Sequence, residues 1–151
     1  MKQFALPVRF GIAASGCLIA YFLILSLFDL HTNIFYSLFN GVITGFAIYE
    51  AIKYERIQNK ERFSYGQGFK IGLMTGFMAT LIFTVFFAFY STEIDPGFLK
   101  ELSEAWFSTF KDFEAIVFFT AAIMGFSTTL VLTLAFMQLF KSRDDIEKKT
   151  G

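Results

Sequence analysis

The sequence predicts an all-α integral membrane protein, a bundle of four transmembrane helices in which residues 1–151 form a single domain. The composition is the first reason, because 55% of the residues are hydrophobic and 20% are aromatic, including 23 Phe. Ordinary soluble domains have fewer aromatic residues and more charged ones. The second reason is the length of the charge-free runs, and the third is the placement of the basic residues between them.

Four charge-free runs divide the chain at residues 10–28, 31–49, 71–92 and 115–140. Each run can cross a hydrocarbon core about 30 Å thick, which takes roughly 20 residues of helix. In hydrocarbon every backbone N–H and C=O group must be satisfied within the segment, so such runs form helices rather than isolated strands. Lys2 and Arg9 before the first run also fit a secretory signal peptide. That run is too long and lacks an A-x-A-like site, so we interpret it as a retained span.

The basic residues predict the orientation of the spans. Of the 13 Lys and Arg residues, 11 lie in the N-terminal tail, in segment 50–70 or in the C-terminal tail. The connection at 93–114 holds only Lys100 and Lys111 against six acidic residues, and the first connection holds no Lys or Arg. Basic loops stay on the cytoplasmic side. We therefore expect a multi-pass membrane protein with both termini in the cytoplasm.

Residues 96–113 predict an amphipathic helix between the third and fourth spans. Asp95 followed by Pro96 is a typical helix start. Apolar side chains then recur at helical spacing, at Phe98, Leu102, Trp106, Phe110 and Phe113. We expect this helix to lie in the outer interface and to be anchored there by these five residues. A lid or a partner-binding helix is the functional alternative.

The stretch SYGQGFKIGLMTGF at 64–77 poses a choice between a phosphate-binding loop and a helix-packing surface. A dinucleotide fingerprint needs a third glycine where Ile71 stands, and no Walker-type G-K-[ST] follows. Read in steps of four, the same region gives small residues along one face of the third span. We therefore predict close packing of helices rather than phosphate binding.

Small residues also repeat in the second and fourth spans. The predicted helix-packing residues are Gly41, Gly45, Gly68, Gly72, Gly76, Thr80, Thr84, Gly125 and Thr129. Lipid provides no hydrophobic drive between helices, so close backbone approach and hydroxyl hydrogen bonds contribute much of the association. Packing within one four-helix bundle is the plain interpretation. A homo-oligomer or a larger complex that uses one of these rows is the alternative.

The segments YEAIKYERIQNKERFSYGQGFKIG and FYSTEIDPGFLKEL flank the small-residue third span. With this arrangement the chain resembles an uncharacterised bacterial family known only as a domain of unknown function, with four spans in the inner membrane and many members in the Bacteroidetes. The resemblance covers essentially the whole chain, most specifically residues 48–102. It implies fold and location, and it implies no activity or functional residues.

Residues that carry chemistry are scarce. Cys17 and His31 are the only cysteine and the only histidine, and the 13 basic residues balance the 13 acidic ones. No nucleophile with an adjacent base, carboxylate pair or metal triad is evident, so we expect no enzyme, no cofactor, no metal and no nucleic-acid partner. Asp29 and His31 in the first connection are interpreted as a polar hairpin tip, with a small pH-sensitive site as the alternative.

Two functional hypotheses remain. The first is a structural or accessory subunit whose packing rows and amphipathic helix contact membrane lipid or other membrane proteins. The second is a transporter or channel for small solutes or lipid, formed by oligomerisation. The charge-free spans favour the first over an ion-coupled pump, because ion and proton pathways in membranes usually carry ionisable groups.

Overall fold

The computed structural model describes residues 2–28, 30, 34–59, 63–94, 97 and 113–150, and over these residues it is all-helical. Its helices in chain order are α1 (Lys2–Leu27), α2 (Ile34–Gln58), α3 (Tyr65–Phe89) and α4 (Phe113–Thr150). A π-helical turn, Tyr90–Ile94, continues α3. The predicted all-α class is confirmed over these ranges.

Three helical stretches are long and apolar enough to cross a membrane, namely Ala5–Leu27, Tyr65–Ile94 and Ala115–Lys141. Helix α2 is not among the three within the described residues. It carries Asn40, Glu50 and Lys53 among its apolar residues, which lowers its average hydropathy. Three helices are therefore compatible with a membrane protein, and the span in α2 stays a prediction.

The helices extend past the charge-free runs at the basic end. Helix α1 begins at Lys2 rather than at residue 10, α2 continues to Gln58 rather than 49, and α4 continues to Thr150 rather than 140. Charge marks where hydrocarbon ends, but Glu, Lys and Arg are good helix formers, so a helix continues through them into water. Pro7 lies near the start of α1, where few backbone hydrogen bonds are lost.

Polar side chains form hydrogen bonds with the backbone at both ends of α3. Ser64 caps its start, and its hydroxyl accepts a hydrogen bond from the backbone N–H of Gln67 at 3.3 Å. At the other end the hydroxyl of Ser91 donates to the carbonyl of Phe87, and that of Thr92 donates to the carbonyl of Ala88 at 2.9 Å. Hydroxyls that bond to these carbonyls compete with backbone N–H groups, which fits the wider π-helical turn at this point.

The predicted interfacial helix at 96–113 lies almost entirely outside the described residues. Its anchors Phe98, Leu102, Trp106 and Phe110 are among the residues not described. Phe113, which we predicted as its last anchor, is the first residue of α4. Helix α4 thus begins at the residue where we expected the interfacial helix to end. The helical spacing of apolar residues that includes Phe113 continues into the fourth charge-free run.

Helix α3 has the most extensive helix contacts in the bundle, and both α3 and α2 contact each of the other three helices. Helix α1 runs parallel to α3, since Gly11 lies beside Met78 and Phe22 lies beside Phe87. Helices α2 and α4 run antiparallel to α3. The first described part of α1 and α3 and the last part of α2 and α4 therefore lie at one end, which we call the basic end.

The buried core has three clusters along the bundle axis. At the end opposite the basic end, Phe22 of α1 contacts Phe87 and Tyr90 edge to face, with ring centroids 5.6 and 5.0 Å apart. A middle cluster joins Ala14, Leu18 and Ala79. The cluster at the basic end consists of Ile48, Ile52, Met137 and Phe140. The aromatic contacts add to the area burial of these side chains.

Candidate functional site

The interface between α3 and α4 pairs small residues in one continuous register. Gly68 lies against Met137, Gly72 against Thr133, Gly76 against Thr129, and Gly125 of α4 against Thr80. Each step moves four residues along both helices in opposite directions, so the same faces stay in contact over three turns. We call these eight residues the glycine–threonine seam.

The seam leaves no room for a side chain at its glycines. A Cβ atom at Gly68 would lie 2.6 Å from Met137 Sδ, and one at Gly72 would lie 2.7 Å from Thr133 Cγ2. A Cβ at Gly76 would overlap the side chain of Thr129, and one at Gly125 would overlap that of Thr80. Separations under 3.0 Å are essentially never seen for real Cβ atoms. Glycine therefore permits the close backbone approach on which helix association in lipid depends.

Three threonine hydroxyls are buried at or beside this seam. Thr75, Thr129 and Thr133 have 0% exposure, and their Oγ1 atoms have no hydrogen-bond partner among the described residues. Several serine and threonine hydroxyls in the bundle bond to their own helix instead, as Thr44 does to the carbonyl of Asn40 at 2.9 Å. The oxygen of Thr133 instead faces Gly72, where a Cα–H group can serve as a weak donor.

The contact between α2 and α4 is looser than the seam. A Cβ at Gly41 would lie 3.8 Å from Thr128 Cγ2, and one at Gly45 would lie 3.4 Å from Leu132 Cδ1. These are ordinary or slightly tight contacts, so the two predicted packing glycines on α2 face α4 without requiring close approach. Thr84, the last predicted packing residue on α3, is half-buried.

Sequence reasoning missed Gly11 on α1. A Cβ at Gly11 would lie 2.7 Å from Met78 Cβ and 3.0 Å from the carbonyl oxygen of Thr75, so α1 also approaches α3 closely. The spacing of Gly11 and Ser15, four residues apart and both buried, is the signal that could have identified this contact.

A polar group joins α2 to α3 at the basic end. The carboxylate of Glu55, 9% exposed, accepts hydrogen bonds at Oε1 from Gln67 Nε2 at 2.7 Å and from Asn59 Nδ2 at 2.8 Å. Bonds to a charged acceptor are stronger than neutral ones. The hydrogen bond between Glu55 and Gln67 could not be predicted from the sequence. Segment 50–70 contains many charged residues, and nothing in the pattern distinguishes Glu55 from its exposed neighbours.

A second group at the basic end combines aromatic rings with cations across α2 and α4. The rings of Tyr49 and Phe140 stack with centroids 5.4 Å apart and planes 18° from parallel. Lys53 Nζ lies 5.7 Å from the Tyr49 ring centroid, and Arg56 Cζ lies 5.5 Å from that of Phe140. We call these four residues the cation–aromatic cluster. Both separations fall within the range of favourable cation–π contacts.

Groups that could perform redox or metal chemistry are widely separated in the described part of the chain. Cys17 is exposed on α1, and no three His, Cys, Asp or Glu side chains described here are close enough together to hold a metal ion. What the geometry provides is close helix packing in the seam and positive charge at the basic end.

These features define a class of helical proteins. Three of the helices are able to span a membrane, and α3 and α4 pack closely through glycine and threonine residues. Within that class, the family model for a protein of unknown function, DUF4199, matches residues 9–142, so the chain belongs to the DUF4199 family. The resemblance to a family of unknown function is confirmed by this match. No curated protein and no solved structure matches the chain.

Proposed function

We propose that this protein is a four-span component of a bacterial inner membrane, with both termini in the cytoplasm, and that it acts as a structural or accessory subunit. In this role it contacts other membrane proteins or lipid, binds no cofactor and catalyses no reaction. The proposal includes α2 as the fourth span and residues 96–113 as an interfacial helix.

The observation that carries the proposal is the apolar outer surface of all four helices. Large hydrophobic side chains that are more than half exposed include Ile12, Ile24 and Leu27 on α1, Phe35, Leu38, Val42 and Phe46 on α2, Val85 and Phe89 on α3, and Phe119, Met124 and Val131 on α4. Soluble monomers rarely expose apolar surface so extensively. Lipid is the solvent that suits it, and the presence of such residues on α2 supports a fourth span there.

Helix α4 supports the accessory role specifically. Only 6% of its most apolar stretch is buried, compared with 33% for the corresponding stretches of α1 and of α3 with its π-helical turn. It packs on α3 through the seam and through ring contacts such as that of Phe118 with Phe87, and on α2 through the looser contact. The remaining faces of α4 offer a span-length apolar surface to a neighbouring membrane protein.

The seam is also the reason to prefer an accessory role over conduction. A path for a solute between α3 and α4 would need space that the glycine contacts do not leave. The unpartnered hydroxyls of Thr75, Thr129 and Thr133 are the feature that favours the alternative, a transporter or channel formed by oligomerisation. In that case the polar path would have to form between protomers.

The test is to extract the protein with its surrounding lipid and to measure the mass and composition of the particle. The accessory role predicts a stable complex with one or more different membrane proteins at fixed stoichiometry. A symmetric homo-oligomer with a water-filled central path would contradict it and would support conduction.

A further inference from the structure

We propose that an anionic phospholipid binds where α2 and α4 meet at the basic end. Its phosphate lies on Lys53 and Arg56 of the cation–aromatic cluster, and its acyl chains follow the exposed apolar face of α2. This inference rests on the proposed function, because a lipid ligand requires α2 and α4 to lie in a bilayer.

The cluster places two cations of α2, each over an aromatic ring, where α2 meets α4. Tyr49 comes from α2 and Phe140 from α4, and their stacking at 5.4 Å joins the helices under the two charges. Lys53 lies over one ring and Arg56 over the other, at 5.7 and 5.5 Å from the centroids. Each ring thus restrains one long side chain, which lowers the entropy lost when an anion binds.

The charges in the cluster suit a phosphate. Lys53 is 43% exposed, and its ion pair with Glu50 at 3.1 Å joins residues of one helix surface. The pair is partly buried, but ion pairs this close to the surface contribute little to stability, so Lys53 can turn to a more highly charged anion. Arg56 brings a planar guanidinium, which binds phosphate oxygens in pairs. Lys141, exposed and next to Phe140, adds positive charge at the same end of α4.

An exposed apolar row on α2 offers a surface for the acyl chains of a lipid whose headgroup lies at these cations. Leu38 and Val42 precede Tyr49 and Lys53 at helical spacing, so the four residues share one face of α2. Leu38 is 72% exposed and Val42 is 63% exposed. The row from Leu38 to Lys53 rises about 22 Å along the helix, enough to accompany one leaflet of a core about 30 Å thick. One lipid can therefore contact the cations and the apolar row together.

The predicted cytoplasmic location of the cluster also agrees with binding of an anionic lipid. Cytoplasmic leaflets are rich in anionic lipids, and basic pockets between transmembrane helices on that side bind their headgroups. The basic end is the end that the distribution of Lys and Arg assigns to the cytoplasm.

The experiment measures lipid binding by native mass spectrometry of the purified protein, titrated with phosphatidylglycerol or with phosphatidylcholine. Wild type should bind phosphatidylglycerol more tightly. The double variant Lys53→Gln/Arg56→Gln should weaken this binding by about fivefold for each cation removed. Lys53→Arg keeps the charge and should retain the preference, while Lys53→Gln alone guards against misfolding of the double variant.

The matched control is Arg9→Gln/Lys70→Gln. It removes two cations from exposed sites on α1 and α3 near the same end, outside the contact between α2 and α4. The control should leave phosphatidylglycerol binding within about twofold of wild type, because neither residue belongs to the cluster. Equal losses in both double variants would overturn the site in favour of a general charge effect.

Two further outcomes separate this inference from the proposed function. Equal binding of the two lipids by wild type, or equally tight binding of inorganic phosphate alone, would overturn the lipid site while the membrane location stands. Release of the protein from native membranes by alkaline carbonate would instead overturn the membrane location itself, and the lipid site with it.

Discussion

At the residue scale, the seam between α3 and α4 depends on positions that lack a side chain. Gly68, Gly72 and Gly76 repeat every fourth residue, and the sequence alone indicated that such a row favours close helix packing. The sequence did not indicate the partner of each glycine. The pairing depends on how far α3 and α4 are shifted along the bundle axis relative to each other. The spacing of small residues within each helix does not determine this shift.

Gly76→Leu should destabilise the bundle strongly, because its first side-chain atom would overlap Thr129 and force the backbones apart. Overpacking typically costs about 1–3 kcal/mol, and a leucine at the tightest point of the seam belongs at the upper end. Equilibrium unfolding in mixed detergent micelles measures the change.

Gly16→Leu is the matched control for this variant. A Cβ at Gly16 has no atom within 4 Å, and the residue is exposed on α1. The same glycine-to-leucine change should therefore leave the free energy of unfolding nearly unchanged. Equal losses for the two variants would show that helix flexibility, and not seam packing, explains the role of Gly76.

Thr133→Val should change the free energy of unfolding by less than about 1 kcal/mol, because the hydroxyl faces a Cα–H group and has no stronger partner among the described residues. Thr44→Val is the comparison, since it removes a hydrogen bond to the Asn40 carbonyl. A loss well above that of Thr44→Val would reveal a strong partner of Thr133, such as a bound water.

At the element scale, charge-free runs predicted where helices exist better than where they end. Each of the four runs lies largely in a helix over the described residues, but α1, α2 and α4 extend into charged segments because a membrane boundary does not interrupt backbone hydrogen bonding. The π-helical turn after α3 was also not predicted. At this turn the hydroxyls of Ser91 and Thr92 donate to carbonyls one turn back. Such bonds depend on side-chain rotamers, which the sequence pattern does not specify.

Gln67→Ala should weaken the junction of α2 with α3 by about 1.5–3 kcal/mol, the usual contribution of a hydrogen bond to a charged group. Its amide donates to the nearly buried carboxylate of Glu55 at 2.7 Å. Gln58→Ala is the control, because Gln58 is exposed and, among the described residues, its amide donates to Tyr54 of the same helix. Thermal unfolding of the two variants in detergent should separate them, and similar midpoints would show that the Glu55 contact is not stabilising.

Trp106 tests the interfacial helix at 96–113, which stays a prediction. Because it is the only tryptophan, its fluorescence reports this segment alone. An interfacial position predicts a blue-shifted emission that is quenched by lipids brominated near the headgroup. Emission typical of indole in water, with no quenching by brominated lipid, would contradict the predicted anchoring.

At the scale of the whole molecule, the sequence predicted an all-α membrane protein because apolar runs in lipid have few alternatives to helix. The extensive packing of α3 on the other three helices was not predicted, although its long row of small residues permits close approach to its neighbours. The cation–aromatic cluster was missed because Tyr49 and Phe140 are far apart in sequence and neither stands out among 23 Phe and six Tyr residues.

The central claim is that all four helices cross the membrane with the basic end in the cytoplasm, and cysteine accessibility tests it most directly. Single cysteines at Leu30, Asn59 and Ser103, each in a Cys17→Ala background, are exposed to an impermeant thiol reagent from the periplasmic side of intact spheroplasts. The account predicts labelling at positions 30 and 103 and protection at 59 until the membrane is opened, since α2 and α3 then each cross once. Labelling of positions 30 and 59 from the same side would contradict it, because α2 would then not span the bilayer.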